Sequence, residues 1–106
     1  MWHFLADAVS DVAWATANHS VWQAARAAIP GRHPIPLHLF YVPGNAEASR
    51  ERGFARGRHT LAFYSQLWLP YAFPQLIAVD GPERAMEYPM LTMSGADFSD
   101  HEVGHE

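Results

Sequence analysis

Apolar residues recur in separate stretches of the chain, each with its own spacing. "WHFLADAVSDVAWAT" alternates in part and predicts two strands joined by a bend near residues 7–11. "VWQAARAAI" is ambiguous, because its alanines favour a helix but it is short and runs directly into the turn "PGRHP". "IPLHLFYV" alternates and is rich in strand-forming residues, so we interpret the last two stretches as a hairpin that ends at Pro43–Gly44.

A long helix is predicted over residues 45–69, from Asn45, a favourable N-cap, to Pro70, which ends it. Gly53 and Gly57 each weaken a helix by roughly 1 kcal/mol relative to alanine, so we expect fraying in its first half. Its arginines lie mostly away from the apolar stripe, which is typical of a solvated helix face. Large apolar residues recur at helical spacing as Phe54, Leu61, Tyr64 and Trp68.

The remaining stretches predict two further extended segments and the start of a helix. "QLIAVDG" is a short apolar run between turn residues, typical of a buried strand. "RAMEYPMLTMSG" predicts an extended, edge-like segment, because Pro89 cannot donate a hydrogen bond to a sheet. The order indicates an α+β fold in one domain spanning residues 1–106. Its parts are strand-rich 1–44, helical 45–69, strands in 74–93 and a helix start at 97–106.

Composition excludes several classes of protein. The 106-residue chain is 49% hydrophobic and 17% charged, which is typical of a globular domain. A net charge of -4 argues against a nucleic-acid partner, and no apolar run is long enough to predict a membrane span. The chain has no cysteine, so neither disulfides nor thiolate metal sites are expected. The start of the sequence does not have the pattern of a secretory signal; the compartment stays open, with the cytoplasm favoured.

Residues 101–106, "HEVGHE", contain the pattern H-E-x-x-H. On a helix, His101 and His105 project from the same face one turn apart, where two neutral imidazoles suit a zinc ion. Glu102 would sit beside a metal-bound water and take its proton. Glu106 projects about 100° away from His105, so it is not expected to be the third ligand. The pattern therefore predicts two ligands and a base.

A structural role for the same residues stays open. "SDHE" is a capping box, in which Ser99 caps the helix and Glu102 reaches back to it. The chain contains seven histidines, which raises the chance that a metal-like pattern arises by accident.

A second segment, "AMEYPMLT", lies shortly before the H-E-x-x-H pattern. Together with "DVAWAT" and "LPYAFPQLIAVDG" upstream, these segments resemble the zinc metallopeptidases of the alanyl aminopeptidase family. The four segments occur in the family's order and cover nearly the whole chain. The resemblance implies a thermolysin-like catalytic domain that hydrolyses peptide bonds with zinc-activated water. It also implies a peptide substrate with a free N-terminus.

The resemblance assigns roles to individual residues. The histidines of H-E-x-x-H would be the zinc ligands, and its glutamate the general base. Glu87 matches the glutamate that binds the free α-amino group of the substrate, and the backbone around Ala85 and Met86 would line the cleft. A carboxylate beside a zinc cleft could pair with an ammonium group, which supports this role for Glu87.

The chain departs from the family pattern in several places. Arg84 stands where glycine is usual, and Tyr88 where one form of the motif has asparagine. The interval between "MEYP" and the histidine motif is short. The family's third zinc ligand, a glutamate on the following helix, would lie beyond Glu106. We therefore expect a fragment of the catalytic domain that, as this chain alone, binds zinc weakly and has no significant peptidase activity.

Two other interpretations remain. The first is a non-catalytic α+β module that folds or associates with a partner and carries a vestigial H-E-x-x-H. Exposed sheet edges would be its sites of self-association. The second completes the zinc site with another histidine of the chain, for which spacing favours none among His3, His19, His33, His38 and His59.

Overall fold

The computed structural model describes residues 1–81 and 86–95, and only the backbone of residues 45–49. Its regular elements follow one another in the order strand, strand, helix and three strands. They are β1 (Val21–Ala27), β2 (Ile35–Tyr41), a 3-10 helix (Pro43–Asn45), α1 (Ala46–Leu67), β3 (Leu76–Asp80), β4 (Met86–Tyr88) and β5 (Leu91–Ser94). Asn45 directly precedes α1, as expected of an N-cap position.

The strands form one mixed sheet in the order β1-β2-β3-β5-β4. β2, β3 and β5 run parallel, whereas β1 and β4 pair antiparallel at the two edges. α1 makes the crossover from β2 to β3, as parallel neighbours require. The ambiguous stretch "VWQAARAAI" thus contributes a strand, and the hairpin with β2 is confirmed. The one α-helix and the mixed sheet of the described residues confirm the α+β fold class.

α1 lies against β2 through a row of residues spaced four apart. The row is buried and consists of Gly53, Gly57, Leu61 and Ser65. A Cβ at Gly57 would lie 2.8 Å from Leu37 Cδ2, and one at Gly53 would lie 2.9 Å from Leu39 Cδ1. The two glycines therefore let the helix approach the sheet more closely than any side chain would allow. α1 continues unbroken through both of them.

The apolar stripe predicted for α1 is only partly buried. Leu61 is buried and Phe54 packs against both groups of core residues, but Trp68 is 73% exposed. Trp68 lies just beyond the end of α1. The core consists of Ala27, Ile29, Ile35, Leu37, Leu39, Tyr41, Leu61, Ala78, Val79 and Leu91.

The prediction of strands in the first sixteen residues is wrong. Residues 1–20 contain no strand, and their large apolar side chains, including Trp2 and Trp14, are exposed. A strand is stable only when another strand pairs with it, and within the described residues none pairs with this segment. Alternation of apolar and polar residues is therefore not enough, by itself, to predict a strand here.

The prediction for "RAMEYPMLTMSG" is only partly right. The described residues form two short antiparallel strands rather than one extended segment. β4 is the edge strand that Pro89 suggested, but β5 lies inside the sheet between β4 and β3. Pro89 is not within a strand: it occupies the turn between them, where a missing N–H has no cost to the sheet.

Candidate functional site

The β4–β5 hairpin places the "MEYP" residues at the edge of the sheet. Tyr88 and Leu91 are paired, so the loop between the strands consists of Pro89 and Met90 alone. Met90 has a φ of 68°, and proline followed by a residue of positive φ is the pattern of a type II turn. The carbonyl oxygen of Met90 accepts a hydrogen bond from the backbone N of Ile77 at 2.8 Å. This bond fixes the turn to the start of β3.

A row of directly paired residues crosses the sheet and ends at Glu87. Leu39 pairs with Ala78, Ala78 with Thr92, and Thr92 with Glu87. Paired residues on neighbouring strands share a face of the sheet, and Leu39 is on the face that α1 covers. Glu87 therefore projects on the same side of the sheet as α1, and its side chain is exposed.

Met86, the second residue predicted beside the substrate, lies on the opposite face of the same strand. It pairs with Met93 and is partly exposed. Among the described residues, β4 has a paired neighbour on one side only, since it ends the strand order. An edge strand presents backbone N–H and C=O groups on its outer side, where an extended peptide can pair with it. The geometry of β4 thus offers backbone pairing from the strand and a carboxylate from Glu87.

Two polar residues lie at the carboxyl ends of the parallel strands beside this hairpin. Asp80 and Ser94 are paired, and Asp80 Oδ2 accepts a hydrogen bond from the backbone N of Val42 at 3.3 Å. Ser94 is fully buried, and within the described residues its Oγ has no hydrogen-bond partner. Open α/β sheets commonly bind ligands at these strand ends. Nothing in the local sequence singles out Thr92, Asp80 or Ser94, because only strand register places Thr92 beside Glu87 and pairs Asp80 with Ser94.

Most of the predicted zinc site lies outside the described residues. Ala85 and the motif residues His101, Glu102 and His105 belong to this group, as do Arg84 and Ser99. Their roles, and the capping box, remain predictions.

The five other histidines do not provide a metal site among residues 1–81 and 86–95. There, no three His, Asp or Glu side chains are grouped closely enough to hold a metal ion. His38 accepts a hydrogen bond from Trp22 Nε1 at Nδ1 (3.2 Å), and His59 stacks on Phe63. Both histidines therefore have contacts of an ordinary structural kind.

Comparison with protein-family models and with curated protein sequences gives no match for this chain. In the described part of the chain, no helix has both the length and the apolar character needed to cross a membrane.

Proposed function

We propose that this chain is part of the catalytic domain of a zinc-dependent metallopeptidase of the aminopeptidase type. The order of four sequence segments supports the proposal, with "AMEYPMLT" and H-E-x-x-H as the two that contain functional residues. The substrate class is a peptide with a free N-terminus. The reaction is hydrolysis of its first peptide bond.

One structural observation supports the proposal most directly: Glu87 lies in an edge strand and is exposed. The backbone of Met86–Tyr88 can pair with an extended peptide by β-augmentation, which recognises a peptide without regard to its sequence. The carboxylate of Glu87 can then bind the α-amino group by a charge-assisted hydrogen bond, which selects the end of the peptide.

His101 and His105 would hold the zinc ion, and Glu102 would act as the general base. Zinc, when bound, lowers the pKa of its water and polarises the carbonyl group to be attacked. Glu102 would accept the proton from the water and donate it to the leaving amine. Two imidazoles give lower affinity than the three protein ligands of catalytic sites. The chain alone is therefore expected to bind zinc weakly and to leave peptides intact.

Zinc titration tests the ligand assignment. Isothermal titration of the chain should show one weak site, with a dissociation constant above about 1 μM, and no binding in His101→Ala or His105→Ala. His59→Ala removes a histidine on α1 and serves as the control that retains binding. Equal zinc affinity in His101→Ala and in the unaltered chain would refute the assignment.

An aminoacyl-amide assay on the same samples tests the expected lack of activity. We expect no zinc-dependent turnover above that of Glu102→Gln. Submicromolar zinc affinity together with turnover that Glu102→Gln abolishes would show a complete site instead.

A non-catalytic interaction module is the second candidate. It is favoured by the seven-residue edge strand β1, whose outer side is unpaired within the described residues, and by the exposed Trp22. A chain that binds no zinc, whether or not His101→Ala is introduced, would support the module. Zinc bound by that histidine would support the peptidase.

A further inference from the structure

The sheet has two edges, and β1 is the one without the usual protection against pairing. β1 has seven residues, whereas β4 has three. Natural edge strands are commonly shortened, bulged, or protected by charges and proline. β1 pairs with β2 in an unbroken register without a bulge, contains no proline, and has Arg26 as its one charged residue. Within the described residues no segment pairs with its outer side.

Trp22 lies on the face of β1 opposite α1 and contacts two side chains of β2. Its ring stacks on those of His38 and Phe40, with ring centroids 5.9 Å and 6.4 Å away, respectively. Its Nε1 donates a hydrogen bond to His38 Nδ1. Despite these contacts the side chain is 59% exposed. Arg26 lies on the same face, four residues along the strand, and is also exposed.

We infer that β1 pairs antiparallel with β1 of a second copy of this chain, in a two-fold arrangement centred on Ala24. In this register Trp22 of each copy lies opposite Arg26 of the other, which gives two equivalent cation–π contacts. Ala24 lies opposite its own counterpart, and this small pair leaves room for the long side chains on either side.

The alternative two-fold registers lack this complementarity. Centring on Gln23 places Trp22 opposite Ala24, and centring on Ala25 places Trp22 opposite Ala28. Neither brings the arginine to the indole. The register centred on Ala24 is therefore the one that the side chains select.

One hydrogen bond within the chain already uses a backbone carbonyl group of β1. Arg58 Nε on α1 donates a hydrogen bond to the carbonyl oxygen of Arg26 at 2.9 Å. A carbonyl oxygen has two lone pairs, so Arg26 can still accept a bond from an added strand. This surface involves neither Glu87 nor the histidine motif, so the inference does not depend on the proposed function.

Cysteine cross-linking tests the register directly, because the chain has no cysteine of its own. Paired residues on antiparallel strands have Cα atoms about 4.5–5.5 Å apart, within the range that a disulfide spans. Under mild oxidation Ala24→Cys should form a disulfide-linked dimer. Ala72→Cys, the same change at an exposed loop residue, should remain mostly monomeric.

Sedimentation measures the association itself. The chain should show a concentration-dependent monomer–dimer equilibrium, and Arg26→Glu should raise its dissociation constant about tenfold or more. Far-UV circular dichroism of the variants checks that the exposed substitutions leave the fold intact. A monomer at every concentration would overturn the inference, as would a dimer that Arg26→Glu does not weaken. Preferential cross-linking through Gln23→Cys or Ala25→Cys would also overturn the proposed register.

Discussion

The two halves of the sheet are stabilised in different ways. In the β1–β2 half, α1 lies so close to the strands that a Cβ at Gly53 or Gly57 would come within 3 Å of a leucine side chain, and Leu37 and Leu39 are completely buried beneath it. In the β3–β5–β4 half, strand pairing and short turns hold the chain. Its helix-side face includes the polar residues Thr92, Ser94 and Glu87. The first half is therefore stabilised by close packing of α1 on the strands, whereas the second presents polar groups that can bind a ligand.

Replacing a buried leucine in each half should reveal this difference most strongly. Leu37→Ala should lower the free energy of unfolding by about 2–5 kcal/mol, because it leaves a cavity under α1. Leu91→Ala, on the face away from α1, should cost roughly half as much, since Leu91 is 7% exposed and no helix covers it within the described residues. Urea unfolding measures both, with Leu67→Ala at an exposed position as control. Equal losses at Leu37 and Leu91 would contradict the comparison.

The glycine contacts give the next largest expected effect. Gly57→Ala introduces a Cβ 2.8 Å from Cδ2 of Leu37, so this fully buried side chain must shift. Overpacking of about 1–3 kcal/mol should exceed the helix-propensity gain of about 1 kcal/mol, leaving a net loss near 1 kcal/mol. Gly44→Ala, which has no atom within 4 Å of the added Cβ, is the matched control. A more stable Gly57→Ala would show that the close approach is not needed.

Two buried serines allow a finer comparison between the halves. Ser65 on α1 accepts a hydrogen bond from the backbone N of Tyr71 at 3.1 Å, whereas Ser94 Oγ has no partner in the described part of the chain. Ser65→Ala should cost about 1 kcal/mol, because it leaves the Tyr71 N–H unpaired. Ser94→Ala should be neutral or stabilising. Thermal and urea unfolding check this difference, and a loss at Ser94 as large as at Ser65 would contradict it.

Tyr71, in the loop that joins α1 to β3, should make the stability of the protein depend slightly on pH in the alkaline range. The Tyr71 hydroxyl donates to the carbonyl oxygen of Gln75 at 3.2 Å, and Arg32 donates to the carbonyl oxygen of Tyr71. Burial raises the pKa of Tyr71 to about 12, and the nearby Arg32 opposes the rise. Because the unfolded chain ionises near pH 10, stability should fall as pH rises from about 10 to 12.

Tyr71→Phe provides the test of that pH dependence. The variant should lose about 1 kcal/mol at neutral pH with the missing hydrogen bond, but it should lack the Tyr71 share of the alkaline loss. Urea unfolding below pH 10 and again at about pH 11 compares the two proteins. Parallel stability profiles across this range would show that Tyr71 does not cause the loss.

The sequence predicts those elements whose side chains carry a regular signal. β2, β3 and α1 lie where alternation, apolar runs and spacing placed them. In the row of α1 that faces the sheet, Leu61 was predicted, but Gly53, Gly57 and Ser65 were not, because glycine and serine give no hydrophobic signal. Residues 1–16 were wrongly assigned because alternation cannot reveal whether a pairing strand exists. The turn before β5 was missed because Met90 adopts a conformation usually occupied by glycine.

The candidate site is harder to predict than the fold. Its residues are named by the family resemblance, but their positions depend on strand register. The resemblance singled out Glu87 and Met86, but alternation along β4 places them on opposite faces, so only Glu87 shares the α1 side. Strand register, which local sequence does not encode, makes Thr92 its neighbour. The histidine motif lies outside the described residues, so its position relative to β4 remains a prediction.

Zinc-induced chemical-shift changes in a ¹⁵N-labelled sample test the central claim, that β4 and the histidine motif form one site. On addition of zinc, we expect the largest shifts at His101 and His105 and in Met86–Thr92, with the β1–β2–α1 half unchanged. His105→Ala should abolish both sets of shifts together. Shifts centred on His38 or His59, or shifts at the motif that leave Glu87 and Thr92 unaffected, would contradict the claim.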